Sequence, residues 1–160
     1  KIARVSANMA MAADMEVRAS STATTGAYSS ACQRGLPAIL MERGGGGRFT
    51  ASEVQAYKRD VKNIMIRMGL LSGEEIHTVQ QKNVTRAEYL EAETDGLWYP
   101  VFSAGDTFAG GAVLGTVRDI WGNLLREYRA DYPGIILYQT VGLGVKTGDP
   151  LIAYGEYADR

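Results

Sequence analysis

Apolar residues recur along this chain at two different periods, and the change of period falls near its middle. Ile2, Val5, Met9 and Ala12/Ala13 are spaced as one face of a helix, after which Met15-Glu-Val-Arg-Ala19 reads as a short strand. A second short helix is expected next. Thr24 or Thr25 would cap it, Tyr28 and Cys32 would lie one turn apart on one face, and Gly35 falls just past its end. Pro37-Ala-Ile-Leu-Met41 is a continuous apolar run of the kind found in parallel strands covered on both faces. Thr50-Ala-Ser-Glu53 then has the form of a capping box. Val54, Tyr57, Val61, Ile64, Met65 and Met68 make one stripe behind it, and Gly69 supplies a left-handed stop.

Helical spacing is lost beyond Ser72. Residues 73–95 are polar and acidic and read as a connector, with a strand near Val84–Leu90. From Gly96 onward short strands alternate with glycine turns, and the pattern repeats. Phe108-x-x-Gly111-x-x-Leu114 recurs 37 positions later as Val145-x-x-Gly148-x-x-Leu151, which predicts a small β domain with quasi-twofold symmetry over residues 96–160. The order helix, strand, helix, strand, helix over residues 1–72 is α/β, yet two strands cannot make a sheet buried on both faces. Part of that sheet is expected to lie outside this chain. Lys1 opens the sequence already in helical pattern, which carries the same expectation.

Composition narrows the function. The chain is 46% hydrophobic and 22% charged, as ordinary globular proteins are. Its 17 basic and 18 acidic side chains are interspersed, leaving a net charge of -1 and no basic patch for phosphate, so nucleic acid is not an expected partner. No apolar run approaches the roughly 20 residues of a membrane-spanning helix, so no membrane partner is expected. Cys32 is the single cysteine, which fits a reducing compartment and a cytoplasmic location.

One stretch concentrates candidate chemistry. Glu42 ends the apolar run and directly precedes Gly44–Gly47, with Arg43 and Arg48 on either side of the glycines. A strand-end carboxylate beside glycines that admit close approach is suited to general acid/base work, and an arginine fork is suited to a substrate carboxylate. The bland alternatives are a solvated strand end, a flexible turn and solvated arginines. The glycines lack the Lys-Ser/Thr of a phosphate loop and the spacing of a dinucleotide fingerprint. His77 is the sole histidine, and this chain alone should not build a zinc site. Cys32 reads as a small packed residue, and Tyr28 either as sharing that burial or, alternatively, as bringing its hydroxyl to the site near Glu42. Trp121 and Tyr132 read as packing groups or a lid.

Taken together, Gly35-Leu-Pro-Ala-Ile-Leu-Met-Glu42-Arg-Gly-Gly-Gly-Gly, the helix end Ile66-Arg-Met-Gly69-Leu-Leu, and Gly105 through Asp149 resemble the succinylglutamate desuccinylase/aspartoacylase family. The resemblance implies an α/β fold: a truncated, zinc-carboxypeptidase-like part followed by a small all-β domain of barrel-sandwich type. It implies a carboxy-terminal portion of a zinc hydrolase that cleaves the amide bond of a small N-acylated amino acid, with the zinc ligands lying upstream of Lys1 and none in this chain. Glu42 matches the family's catalytic carboxylate. Tyr28 falls where some relatives place a substrate-contacting tyrosine, whereas Cys32 and Gln33 stand where an arginine is expected, making Arg34 the candidate substitute beside Arg43 and Arg48. A homo-oligomer is expected, because an incomplete sheet leaves edges and apolar faces to cover. The competing reading is a non-catalytic binding or assembly module whose biotinyl-like β domain lacks the modified lysine, since Asp119-Ile-Trp121-Gly-Asn123 holds none.

Overall fold

A computed structural model describes residues 1–157. They form two compact units that divide at Lys82/Asn83, whereas the composition change in the sequence falls near Ser72.

The first unit contains α1 (Ile2–Ala12), β1 (Val17–Ala19), α2 (Ala27–Gln33) and α3 (Ala51–Arg67). The cap of α2 is neither threonine. Gly26 occupies it with φ 91°, a conformation a threonine there would strain to adopt, and no side chain bonds to the exposed amides. Gly35 ends the helix as its spacing predicts, at φ 86°, with the Leu36 N–H donating to the Ala31 carbonyl. The capping box of α3 is complete: the Glu53 N–H donates to the Thr50 hydroxyl, and the Thr50 N–H donates to the Glu53 carboxylate at 2.6 Å. At the other end Gly69 has φ 73° and the Leu70 N–H reaches back to the Met65 carbonyl, closing a Schellman turn.

Two expectations for this unit fail. The stripe on α3 is not its buried face: Val61 is 48% exposed, and the buried residues of the helix are Asp60 and Asn63. The run Pro37–Met41 is not a strand among the described residues. Its main chain is held by side chains, with the Ala38 N–H donating to the Ser6 hydroxyl at 3.1 Å and the Cys32 thiol donating to the Ala38 carbonyl. Both failures have one cause. An apolar run becomes a parallel strand, and a helix stripe becomes core, only when neighbouring strands supply a ladder and a surface to cover. No described strand pairs with this run.

Residues 74–79 are stapled to the first unit by side chains that imitate a ladder. The Asn63 amide donates to the Ile76 carbonyl at 2.7 Å and accepts from the Ile76 N–H at 3.0 Å. Arg67 pairs with Glu75, which also contacts His77.

The second unit contains β2 (Lys82–Glu91), β3 (Gly96–Pro100), β4 (Thr107–Phe108), β5 (Val113–Arg118), β6 (Leu124–Arg129), β7 (Gly134–Gln139), β8 (Gly144–Val145) and β9 (Pro150–Tyr157), with β2 starting at the seam. Within this unit the strands pair antiparallel in two sheets, in the orders β2-β9-β7-β4 and β6-β5-β3-β8. The second order is the first with each strand replaced by its repeat partner. Equivalent bonds confirm the symmetry: the Gly111 N–H donates to the Ala130 carbonyl and the Gly148 N–H to the Ala92 carbonyl, both at 2.8 Å. Gly111 and Gly148 have φ 79° and 88°, and Leu114 and Leu151 are fully buried. The sequence repeat is thus a strand, a left-handed glycine and a core leucine, used twice. Neither sheet closes into a barrel among the described residues.

Aromatic rings fill the space the sheets enclose. Trp98 packs edge-on against Tyr128 with centroids 5.7 Å apart, and Phe108 does the same against Tyr154 at 5.5 Å. A methyl group at Gly115 would lie 2.2 Å from the Trp98 ring, so this position excludes any side chain. Tyr132 is buried as a packing group. Trp121 is 81% exposed at the tip of the β5–β6 hairpin, so the packing role expected for it does not occur within the chain. The turn beneath it is fixed by Asp119, whose carboxylate accepts from the Trp121 and Asn123 amides.

Candidate functional site

The segment around Glu42 is positioned by what flanks it. Three of the four following glycines, Gly44, Gly46 and Gly47, have φ of 74°, 61° and 68°, and a Gly45–Arg48 bridge closes the turn. These left-handed values would strain any residue but glycine. Burial alternates along the approach to it: Met41 and Arg43 are half-buried, whereas Leu40 and Glu42 are exposed. Glu42 forms no hydrogen bond or ion pair among the described residues, leaving its carboxylate free to exchange a proton with a ligand.

Its neighbours are held tightly. The Tyr57 hydroxyl donates to the Met41 carbonyl at 3.3 Å. The Arg43 guanidinium donates from Nε to Asp60 Oδ2 at 2.9 Å and from Nη2 to the Asp14 carbonyl at 2.7 Å, with Tyr57 beneath it at 5.9 Å. Asp60 Oδ1 accepts from the Asp14 N–H at 2.8 Å. The Asp14 carboxylate accepts from the Thr78 amide and hydroxyl and the Val79 amide, and pairs with Arg59 at 2.8 Å. Burial pushes the Asp14 carboxyl upward, but the Thr78 and Val79 hydrogen bonds and the Arg59 charge outweigh it, and its pKa is lowered from 3.8 to about 2. Asp14 and Asp60 side chains are fully buried, and each is paired and hydrogen-bonded as a buried charge requires.

The candidate residues thus fall into separate settings. Arg43 is engaged by Asp60 and the Asp14 carbonyl through Nε and Nη2. Arg34 and Arg48 are exposed, and neither side chain forms an ion pair among the described residues. The Tyr28 hydroxyl is shared with Ser21 at 2.8 Å and does not bond to Glu42. Cys32 is a half-buried free thiol against Ser6 and Ala38. Among the described residues no group of three or more His, Cys, Asp or Glu is placed to hold a metal ion, so the donor set here does not fit a zinc site. His77 sits beside Glu75 at 2.9 Å.

Sequence reasoning missed the Asp14–Arg43–Arg59–Asp60 cluster. The available signal was the Arg59-Asp60 pair inside an amphipathic helix and Asp14 directly after two alanines at a helix end. Neither identifies its partner, because Asp14 and Asp60 lie far apart in the chain.

A helix-bearing unit followed by a twofold-repeated, two-sheet β unit defines a mixed α/β protein with few helices. Comparison with known proteins gives the class a family. The product-bound ectoine utilization protein EutE (DoeB) from Ruegeria pomeroyi is 25% identical with a TM-score of 0.82, over 97% of this chain and 50% of that one. A succinylglutamate desuccinylase/aspartoacylase from Rhodobacter sphaeroides shares the fold, with a TM-score of 0.80 at 23% identity, over 98% of this chain and 50% of that one. The structural neighbours of this chain are members of the succinylglutamate desuccinylase/aspartoacylase family, and the chain carries that family's fold. In sequence, it is 26% identical over 127 residues to an N-alpha-acetyl-L-2,4-diaminobutyric acid deacetylase from Halomonas elongata, a match spanning 76% of this chain and 37% of that protein. No protein-family model matches the chain. It spans about half the length of these solved structures. No helix among the described residues is long and apolar enough to cross a membrane.

Proposed function

We propose that this chain is the carboxy-terminal part of a hydrolase that cleaves the amide bond of a small N-acylated amino acid. The carrying observation is the likeness to a deacetylase across 76% of the chain. Glu42 takes a proton from the attacking water and delivers it to the departing amine, a role that suits an unpaired carboxylate beside a glycine turn. Arg48 or Arg34 recognises the substrate carboxylate, with Tyr28 alongside, in preference to Arg43, which Asp60 and the Asp14 carbonyl already engage. The described residues do not fit zinc, so the metal belongs to the proposal only as a group held by polypeptide outside this chain. The α/β part is carboxypeptidase-like in this reading, the β unit is of barrel-sandwich type, and the parent is a cytoplasmic homo-oligomer.

The test uses the full-length parent with N-acetyl-diaminobutyrate and N-succinylglutamate as substrates. Glu42→Gln is expected to lower kcat by about 10²–10⁴-fold with KM little changed. Full activity of that variant overturns the assignment. Stoichiometric zinc in the intact protein is the expected metal content. Neither metal nor hydrolysis would favour the binding-module reading, for which the rigid hairpin displaying Trp121 is the supporting feature.

A further inference from the structure

We infer that Arg43 is a positioning residue that acts through Glu42, rather than a group that binds substrate. The inference rests on the assignment of Glu42 above. Its basis is that both peptide neighbours of Glu42 are anchored to one face of α3, one turn apart. The Tyr57 hydroxyl holds the Met41 carbonyl, and Asp60 holds the Arg43 side chain. Tyr57 and Asp60 are three positions apart and so lie together on the helix surface. The second arm of the Arg43 fork reaches the Asp14 carbonyl, and Asp60 Oδ1 takes the Asp14 N–H, so the anchor extends to the chain just beyond α1.

The consequence for Glu42 follows from the alternation of burial. Met41, whose carbonyl meets Tyr57, and Arg43, whose guanidinium meets Asp60, are half-buried, and Glu42 between them is exposed. The glycine turn that follows has left-handed φ at Gly44, Gly46 and Gly47 and is closed by the Gly45–Arg48 bridge. The loop that carries the carboxylate is thereby tied to a helix on both sides of Glu42. A proton-transfer group displaced by about 1 Å loses on the order of 10²-fold in rate. Lysine in place of Arg43 keeps the charge but has no planar fork to reach Asp60 and the Asp14 carbonyl together.

In the full-length parent, kcat, KM, the pH–rate profile and thermal melting are measured for Glu42→Gln, Arg43→Met, Arg43→Lys and Tyr57→Phe. Arg43→Met is expected to lower kcat roughly 100-fold with KM within about threefold of the parent. Arg43→Lys is expected to recover part of that loss, and Tyr57→Phe to cost a few-fold. The acidic limb of the profile should move in the Arg43 variants, which loss of packing alone would not cause. A folded Arg43→Met with raised KM and unchanged kcat overturns the inference in favour of substrate binding. Should Arg43→Met fail to fold, unchanged kcat in both Arg43→Lys and Tyr57→Phe overturns it instead. Loss of activity in Glu42→Gln beside unaffected Arg43 variants sinks the positioning role alone, whereas full activity of Glu42→Gln withdraws the underlying assignment and this inference with it.

Discussion

The two units bury opposite kinds of side chain. In the first, the fully enclosed groups are Asp14, Ser29, Asp60 and Asn63 with only Ala12 and Ala13 as apolar company, whereas in the second the enclosed groups are Trp98, Leu114, Ile136, Leu151, Tyr154 and their neighbours. The first unit is held by charge-assisted hydrogen bonds and leaves Val61, Met65, Leu36 and Leu40 exposed. The second is a complete hydrophobic core between two sheets. A polar network is directional and can fix one segment, here the backbone beside Glu42, without surrounding it. A hydrophobic core is non-directional and needs closure on all sides, which the twofold repeat supplies from within the chain. The contrast is between a unit with an apolar core of its own and a unit whose larger apolar side chains stay exposed.

The largest expected effect tests the second unit's core. Trp98→Ala removes the ring around which Gly115 and Tyr128 pack and is expected to cost about 3–5 kcal/mol, measured by urea unfolding followed by circular dichroism. If the units are held as differently as described, amide exchange in residues 1–82 should change far less than in the second unit. The converse is Asp60→Ala, which strands the partly buried Arg43 guanidinium and the Asp14 amide. It is expected to cost about 3 kcal/mol in the first unit. Both tryptophans lie in the second unit, so their fluorescence transition should stay in place.

Acid separates the two as well. The Asp14 carboxyl titrates lower in the folded chain than in the unfolded one, so its contribution is complete above pH 3.8 and is lost as pH falls through about 2. The loss amounts to about 2 kcal/mol and should appear as exchange in residues 74–79 and around Arg43 before the β unit opens. The smallest effect is the sharpest discriminator. Met65→Lys, on the exposed stripe of α3, should shift the stability of this chain by no more than about 0.5 kcal/mol. The same change in the full-length parent should destabilise by several times as much if polypeptide outside this chain covers the stripe.

Local signals were readable wherever the chain supplies its own partners. The capping box at Thr50, the stops at Gly35 and Gly69, and the repeat from Phe108 to Leu151 all appear at the expected residues, because each depends on contacts within a few positions or within one closed domain. The Pro37–Met41 run and the apolar stripe of α3 depart from expectation for the complementary reason: a parallel strand and a buried helix face need neighbours, and no described strand pairs with the run. Glu42 stood out through its place between an apolar run and four glycines. Arg43 was assigned to a substrate carboxylate because sequence shows a charge but not which carboxylate it meets.

What the sequence determined by itself was therefore the set of helices, the turn chemistry and the twofold β unit, all governed by backbone preferences and short-range periodicity. The tertiary structure alone decided that Asp14 and Asp60 meet, that Arg43 is consumed between them, and that Glu42 is left free. Electrostatic partners are chosen by distance in space. Only folding brings residues 14, 43, 60 and 78 within hydrogen-bonding reach, and no local pattern encodes that meeting.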